Sequence, residues 1–251
     1  AQWSDLSTEL GLGGSGAAEE LAYRRLQIAL VQGNVDTAVE AYDKLGPSQF
    51  RKSAERLLYK HAVKAWESEP RSVEAARAVV RFGTPVAEQL VLGDSAFQQP
   101  VTLGVCNDVA AAAAIVFEEA KDVAMRDAAI KIDRKAFEGG MPSATAVRRL
   151  ARLSEHAGDS ALSLACWQRI LGGVPSGTGD WFEARYETLR LIAASEPEKA
   201  RQICEQHRVL YPDWGAKPWN EKIREIATRL GVASTPAAGA GQNENAGGGK
   251  K

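Results

Sequence analysis

A Gly158-Asp159 turn between two stretches of helical periodicity constrains the fold of this chain more than any other feature of its sequence. The second stretch ends at Pro175, and a later segment that starts at Pro197 ends in the same way at Pro212. Apolar residues three and four positions apart mark one buried helix face, and Gly and Pro end such a run. The pattern therefore predicts two neighbouring helical hairpins. Stacked hairpins commonly provide binding surfaces, and the pattern indicates no reaction.

The same periodicity extends over most of the chain, and no run alternates in the way that a β-strand does. The sequence therefore predicts an all-α protein. The predicted helices lie near residues 21–30, 35–45, 50–66, 73–82, 86–92, 106–137 with one break near 121–123, 145–156, 160–171, 181–194, 198–210 and 218–230, with a loop over 93–104.

Composition argues against two classes of partner. The chain has 251 residues, 45% hydrophobic and 25% charged, and a formal net charge of −1. Proteins that bind nucleic acids usually carry a basic excess on one face, so we expect no nucleic acid. The longest apolar stretch, Val109–Phe117, is shorter than the roughly 20 residues of a spanning helix, so we expect no membrane insertion.

The sequence contains no catalytic signature and indicates no cofactor. Its three cysteines, at positions 106, 166 and 204, are widely spaced and are expected to be buried core residues, although export would permit one disulfide. Cys204 and His207 are three residues apart on one helix face, but a zinc site needs a second pair of ligands that the sequence does not supply. We expect no metal.

Both ends of the chain have the composition of linkers. Residues 1–17 are predicted to be a flexible segment and residues 231–251 a disordered tail, with helical hairpins over 18–142 and over 143–230. The chain starts at Ala1 without a leader pattern. We therefore expect a processed product or a module of a larger protein. A cytoplasmic and an exported location both remain open.

The order of helix, Gly-Asp or Gly-Asn, helix and Pro resembles the tetratricopeptide repeat (TPR), a helical hairpin of about 34 residues. Trp167 occupies the aromatic position of the first hairpin and Ser163 its small position, while Ala200 and Cys204 occupy those two positions, small and aromatic, in the next. Gly33-Asn34, with Ala38 and Tyr42, repeats the pattern near the start of the chain.

The resemblance is good over 145–212, fair over 21–47 and weak after residue 83. It implies a TPR-like α-solenoid of stacked antiparallel hairpins that is less regular in its middle. It also implies a module without enzymatic activity that binds or scaffolds a protein partner.

In a TPR-like stack the first helix of each hairpin lines the concave face, which implies that Arg148, Arg152, Glu155 and His156 face a partner. Two arginines four residues apart repel by a few tenths of a kcal/mol. An acidic peptide or a terminal carboxylate would compensate for that repulsion. A solvated helix face with Glu155 as a local counter-charge is the alternative.

Aromatic residues cluster near the end of the chain, and they leave a second interpretation open. Tyr211, Trp214 and Trp219 are predicted to be either a plug that closes the stack or an aromatic shelf for a glycan or a small ligand. With the carboxylates Glu183 and Glu187, such a shelf would suit an accessory domain of an enzyme. Self-assembly through the end faces of the stack is a third possibility.

Overall fold

The computed structural model describes residues 15–90, 99–140 and 142–232, which fold into α-helices and contain no β-strand. The all-α prediction is confirmed. The helices within the described residues are α1 Ser15–Val31, α2 Val35–Asp43, α3 Gln49–Ser68, α4 Val73–Leu90, α5 Pro100–Ala120, α6 Val123–Glu138, α7 Ala144–His156, α8 Ser160–Gly173, α9 Gly179–Ser195, α10 Pro197–Leu210 and α11 Trp219–Arg229.

The chain divides into two compact units between Asp159 and Ser160. Unit 1 contains α1 to α7, and unit 2 contains α8 to α11. The division that the sequence predicted, between residues 142 and 143, lies one helix earlier and stays a prediction.

Three glycines with positive φ end helices in one way. Gly33, Gly158 and Gly231 have φ of 75°, 83° and 72°. In each case the next residue donates its N–H to the carbonyl five positions back, from Asn34 to Ala29 at 2.8 Å, from Asp159 to Ser154 at 2.8 Å and from Val232 to Ala227 at 2.9 Å. This closure favours glycine, which has no Cβ to clash in the left-handed region. Both predicted Gly-Asn and Gly-Asp turns are confirmed.

Successive hairpins of unit 1 pack in sequence order. The second helix of each hairpin contacts the first helix of the next, most extensively at α4 against α5 and also at α6 against α7. Tyr42 on α2 is 5% exposed and its ring meets Phe82 on α4 edge-on, at 5.5 Å between centroids. The small residue Ala38 is fully buried. These two residues therefore fill the positions that the TPR resemblance gave them.

Helix α4 corrects one predicted boundary. The sequence predicted an end at Gly83-Thr84-Pro85 and a separate helix after it, but α4 runs unbroken from Val73 to Leu90 with Pro85 inside it. Gly83 allows close packing, since a Cβ there would lie 2.5 Å from Val109 Cγ2 and 3.0 Å from the Tyr59 ring. The glycine brings α4 against α3 and α5 and does not end the helix.

Helix α5 corrects a second boundary. The predicted loop over 93–104 is helical from Pro100, which occupies the first turn where its missing N–H costs nothing. Residues 93–98 lie outside the described residues. The predicted break near residue 121 is confirmed, because Lys121 adopts φ 56° and Asp122 caps α6 by accepting the Met125 N–H.

Helix α5 is also longer than the apolar stretch noted in the sequence. Its 21 residues have the length and composition to cross a membrane, with 56% of the apolar window buried in the structure. Core helices of water-soluble proteins meet the same criterion, and α5 packs against α4, α6 and α7. The expectation that the chain does not insert into a membrane stays a prediction.

Unit 2 has a core of its own. α8 packs on α9, which contacts α10 and α11, and Trp167, Ala200 and Cys204 are each no more than 1% exposed. All three cysteines are buried, as predicted, and they form no disulfide with one another.

Two predicted terminal segments need correction where the structure describes them. Residues 15–17 belong to α1, and Val232 is 5% exposed and belongs to the core of unit 2. Residues 1–14 and 233–251 lie outside the described residues.

Candidate functional sites

Helix α7 presents the two predicted arginines on one face. Ser143 caps the helix, with its hydroxyl accepting the Ala146 N–H at 3.1 Å. Leu150, Ala151 and Ser154 are buried on the opposite side. Arg148 is half-buried and Arg152 is exposed. Their four-residue spacing places both side chains on one face of the helix, but the Nη2 atom of Arg148 is itself buried.

His156 closes the C-terminal end of α7 and contacts α5. Its Nδ1 lies 2.8 Å from the carbonyl oxygen of Arg152, which can only accept, so Nδ1 carries the hydrogen. The ring meets that of Phe117 edge-on, at 5.7 Å between centroids. Arg126 donates to the carbonyl of His156 at 3.2 Å. His156 thus joins two helices, and half-buried Glu155 precedes it.

Arg149 stands between the predicted arginines in the sequence but faces the interior. Its Nε and Nη2 each donate to one carboxylate oxygen of Asp133 at 2.7 Å, and Nη2 also lies 3.2 Å from Asn107 Oδ1. The side chains of Arg149 and Asp133 are 10% and 2% exposed. Burial raises the pKa of the Asp133 carboxyl, and Arg149 opposes that rise. The fork joins α7 to α6 and α5.

Three further side-chain hydrogen bonds join helices of unit 1. The Tyr59 hydroxyl on α3 donates to Asp108 Oδ2 on α5 at 2.8 Å. The carboxylate of Glu55, a residue 5% exposed, accepts from Tyr42 at 3.2 Å and from Gln89 at 2.7 Å. The partners are 13 to 49 residues apart in the sequence, so nothing local in the sequence signals them.

Tyr211 and Trp214, two members of the predicted aromatic shelf, surround the buried side chain of His207 in unit 2. The rings of Tyr211 and Trp214 lie 5.1 Å and 6.0 Å from that of His207. His207 Nε2 is 3.2 Å from the Trp214 carbonyl oxygen and donates to it, and Nδ1 has no partner among the described residues. Burial lowers the pKa of His207, and the nearby Arg185 lowers it further.

The turn after α10 depends on one glycine. Trp214 and Gly215 adopt φ of 66° and 98°, and a Cβ on Gly215 would lie 2.2 Å from the Phe182 ring. The turn therefore holds Trp214 at 7% exposure against the core of unit 2.

Trp219, the third member of the predicted shelf, belongs to another group of rings. It lies 5.6 Å from the Tyr186 ring, and Lys222 Nζ lies 4.6 Å from its centroid. The ring of Trp219 therefore contacts a different partner from the rings of Tyr211 and Trp214, which contact His207. Since Trp214 is almost fully buried, little of its surface is left for a ligand. The shelf stays a prediction.

Glu187 and Cys204, two further groups that the sequence singled out, lie within unit 2. Glu187 pairs with Arg190 at 2.8 Å. Burial raises the pKa of the Cys204 thiol to about 11 and keeps it protonated at neutral pH. Within the described ranges, no three His, Cys, Asp or Glu side chains are grouped to hold a metal ion.

Comparisons with known proteins give similarity of fold. No protein-family model and no curated protein matches the sequence. The chain is similar to a solved structure of nearly identical TPR-like repeats, described as those of a kinesin light chain from Podosopora anserina, with 17% identity over 86% of this chain and 96% of the other, at a TM-score of 0.36. The MamA protein is similar with 13% identity over 87% and 97%, at a TM-score of 0.31.

Both matches cover most of the chain. Their TM-scores are low, so the evidence for stacked hairpins is the packing of the helices within each unit.

Proposed function

We propose that this chain is a protein-binding module in which the first helices of successive hairpins form the surface for a partner segment. The observation that carries the proposal is the row of first helices in unit 1. α1 contacts α3, α3 reaches α5 through Tyr59 and Asp108, and α5 contacts α7. Side-by-side helices of this kind create extended surfaces that suit peptides. The proposal requires no catalytic residue.

Within this surface, we place the contact for an acidic segment on α7. Arg148 and Arg152 lie on one face of α7, where the exposed Arg152 can meet a carboxylate with paired hydrogen bonds and Arg148, whose Nη2 atom is buried, adds positive charge beside it. Glu155 and His156 flank the site, and His156 keeps the end of α7 against Phe117.

The test starts from a random peptide library displayed on phage, with the full chain as bait. Selected peptides are then titrated against the chain by fluorescence anisotropy. We expect acidic peptides whose affinity falls in an Arg148→Glu/Arg152→Glu variant. Lys60→Glu/Lys64→Glu reverses two exposed charges four residues apart on α3, another first helix of the surface, and separates a site on α7 from attraction by the charge of the whole surface. Equal weakening of binding by both variants would contradict the α7 site. A selection that yields no binding peptides would contradict the proposed function.

Self-association is a second candidate, because large apolar side chains are exposed at the start of unit 1. Leu21 and Ile28 are 44% and 57% exposed and seven residues apart on one face of α1, and Val31 is 89% exposed. Such uncovered faces at the ends of repeat stacks can pair with another copy.

Light scattering after size exclusion, over a range of protein concentrations, tests this candidate. We expect the mass to rise with concentration in the parent chain and to stay constant in an Ile28→Lys/Val31→Lys variant. Val123→Lys is the control at a 51% exposed position on α6. A constant mass in the parent chain would exclude self-association over that range.

A further inference from the structure

Helices α4, α5 and α6 of unit 1 enclose a cleft of about 320 Å³ away from the outward face of α7. We call it the lysine cleft. It is lined by Thr84, Ala87, Glu88, Cys106, Ala128, Lys131, Ile132 and Lys135. The apolar members are buried or half-buried and the charged members are exposed, so the cleft has an apolar floor and a charged rim.

The two lysines of the rim lack the partners that neighbouring cations have. Arg126, Arg134 and Arg149 pair with Asp127, Asp159 and Asp133. Lys131 and Lys135 make no ion pair within the described residues. They lie four residues apart on α6, where like charges disfavour each other. A carboxylate from another molecule would relieve that repulsion.

The opposite wall of the cleft has complementary hydrogen-bonding properties. Glu88 on α4 is exposed and is the one carboxylate among the described residues that line the cleft. The Thr84 hydroxyl donates to the Val80 carbonyl at 2.7 Å, so its oxygen is left to accept. The α6 wall therefore donates and the α4 wall accepts. A peptide segment offers both kinds of group, with carboxylates on its side chains and N–H groups on its backbone.

The size of the cleft limits what enters it. At about 320 Å³ it is near the lower end of ligand pockets, which suits one or two side chains. Cys106 on the floor is 4% exposed, and burial raises the pKa of its thiol, so it acts as an apolar surface. An apolar side chain between two acidic residues fits both floor and rim.

We propose that the lysine cleft docks a short acidic segment of a partner protein. An apolar side chain of the segment enters between Ala87 and Ile132, and its flanking carboxylates lie beside Lys131 and Lys135. This surface is separate from the α7 face. The docking proposal does not depend on whether Arg148 and Arg152 bind a partner.

The test uses two fluorescein-labelled peptides, Ser-Glu-Glu-Leu-Leu-Glu-Glu-Ser and the same sequence with Gln in place of every Glu, titrated against the full chain by anisotropy. We expect the Glu peptide to bind and the Gln peptide to bind more weakly. Lys131→Gln/Lys135→Gln should weaken the Glu peptide by roughly three- to tenfold, the range for two exposed ion pairs. Added salt should weaken it in the parent chain.

Two control variants separate docking from general charge attraction. Lys60→Gln/Lys64→Gln removes an equal charge on α3 and should leave the affinity unchanged. Ala128→Phe fills the floor without changing charge and should abolish binding, with circular dichroism confirming the helix content of each variant. Failure of the Glu peptide to bind, equal affinity for both peptides, or equal loss in the two lysine variants would overturn the proposal. The titrations are repeated in an Arg148→Glu/Arg152→Glu chain, where the remaining affinity for the Glu peptide comes from the cleft and the loss in Lys131→Gln/Lys135→Gln should persist, which keeps the outcome distinct from that of the α7 site.

Discussion

The contacts that stabilise unit 1 internally differ in kind from those that close the last hairpin of unit 2. The hairpins of unit 1 are joined by buried charged and polar groups, including the Asp133–Arg149 fork and the Tyr59–Asp108 hydrogen bond. The last hairpin of unit 2 is closed by aromatic rings around His207. Directional contacts fix the register of one helix against another, whereas ring contacts contribute mainly through the apolar area they bury. Unit 1 should therefore be sensitive to the loss of a single charged partner, and unit 2 to changes of shape and protonation.

Arg149→Ala should produce the largest effect, because it leaves the Asp133 carboxylate buried without its partner. Breaking a buried ion pair on one side costs about 3–5 kcal/mol. Urea unfolding followed by circular dichroism measures the loss. Arg134→Ala is the control, because the Arg134–Asp159 pair is 44% and 41% exposed and should contribute about 0–1 kcal/mol. A double variant, Asp133→Leu/Arg149→Met, should recover most of the loss. Equal effects of the two Arg→Ala changes would contradict the assigned role of the fork.

Gly83→Ala should have the next largest effect. The added methyl group would lie 2.5 Å from Val109 Cγ2 and 3.0 Å from Tyr59, so α4 must shift away from its neighbours. Overpacking of this kind costs about 1–3 kcal/mol. Gly104→Ala on α5 is the matched control, since nothing lies within 4 Å of its added methyl group. That change should be neutral or should stabilise by up to about 1 kcal/mol. A similar loss in both variants, measured by urea unfolding, would mean that the cause is not the contact with Val109.

These two glycine roles show what the sequence could predict. The turns at Gly33 and Gly158 were predictable because Gly followed by Asn or Asp between two helical stretches is a local signal, and the closing hydrogen bond spans five residues. Gly83, two residues before Pro85, also gave a local signal for a helix end, but it has another role. The packing role of Gly83 depends on Val109, which lies on another helix far along the chain. A local sequence pattern therefore could not distinguish a glycine that allows close packing from one that ends a helix.

The candidate sites also differ in whether a local sequence pattern reveals their residues. Arg148 and Arg152 were predicted as partner-binding residues from the TPR resemblance and from their spacing, which puts them on one face of α7, and that role stays a prediction. Arg149 differs from them only in its position on the helix, and its partners Asn107 and Asp133 are 42 and 16 residues away. The lysine cleft is assembled from three helices, so no single stretch of sequence displays it.

The aromatic closure of unit 2 should weaken in acid. Because burial and Arg185 lower the pKa of His207 in the folded chain, the unfolded chain binds the proton first as pH falls. The contribution of His207 is complete above about pH 6.5, the ordinary value for His. It declines as pH falls toward the folded pKa, and below both values it changes no further. Four of the six tryptophans, at 167, 181, 214 and 219, belong to unit 2, so their fluorescence reports its unfolding.

His207→Phe is the control for this pH dependence, since it keeps a ring in the cluster and cannot take a proton. The variant should be less stable at neutral pH, because the hydrogen bond to the Trp214 carbonyl is lost. Its urea midpoint should also vary less between pH 7 and pH 5. An equal pH dependence in both chains would assign the acid response to other groups.

Asp43→Asn should change the free energy of unfolding least. It provides an exposed ion pair to compare with the buried Asp133–Arg149 fork. Asp43 on α2 accepts from Arg81 on α4 at 2.7 Å, so this pair joins two helices of unit 1 as the Asp133–Arg149 fork does. Its side chains are 55% and 51% exposed, and water screens such pairs, which contribute about 0.2–1 kcal/mol.

Arg81 also lies 5.1 Å from the Phe82 ring, so Arg81→Gln alone would remove two interactions. A double-mutant cycle isolates the ion pair, and its coupling energy should fall in high salt while that of the fork does not. A coupling energy as large as that of the fork would show that burial is not what separates the two contacts.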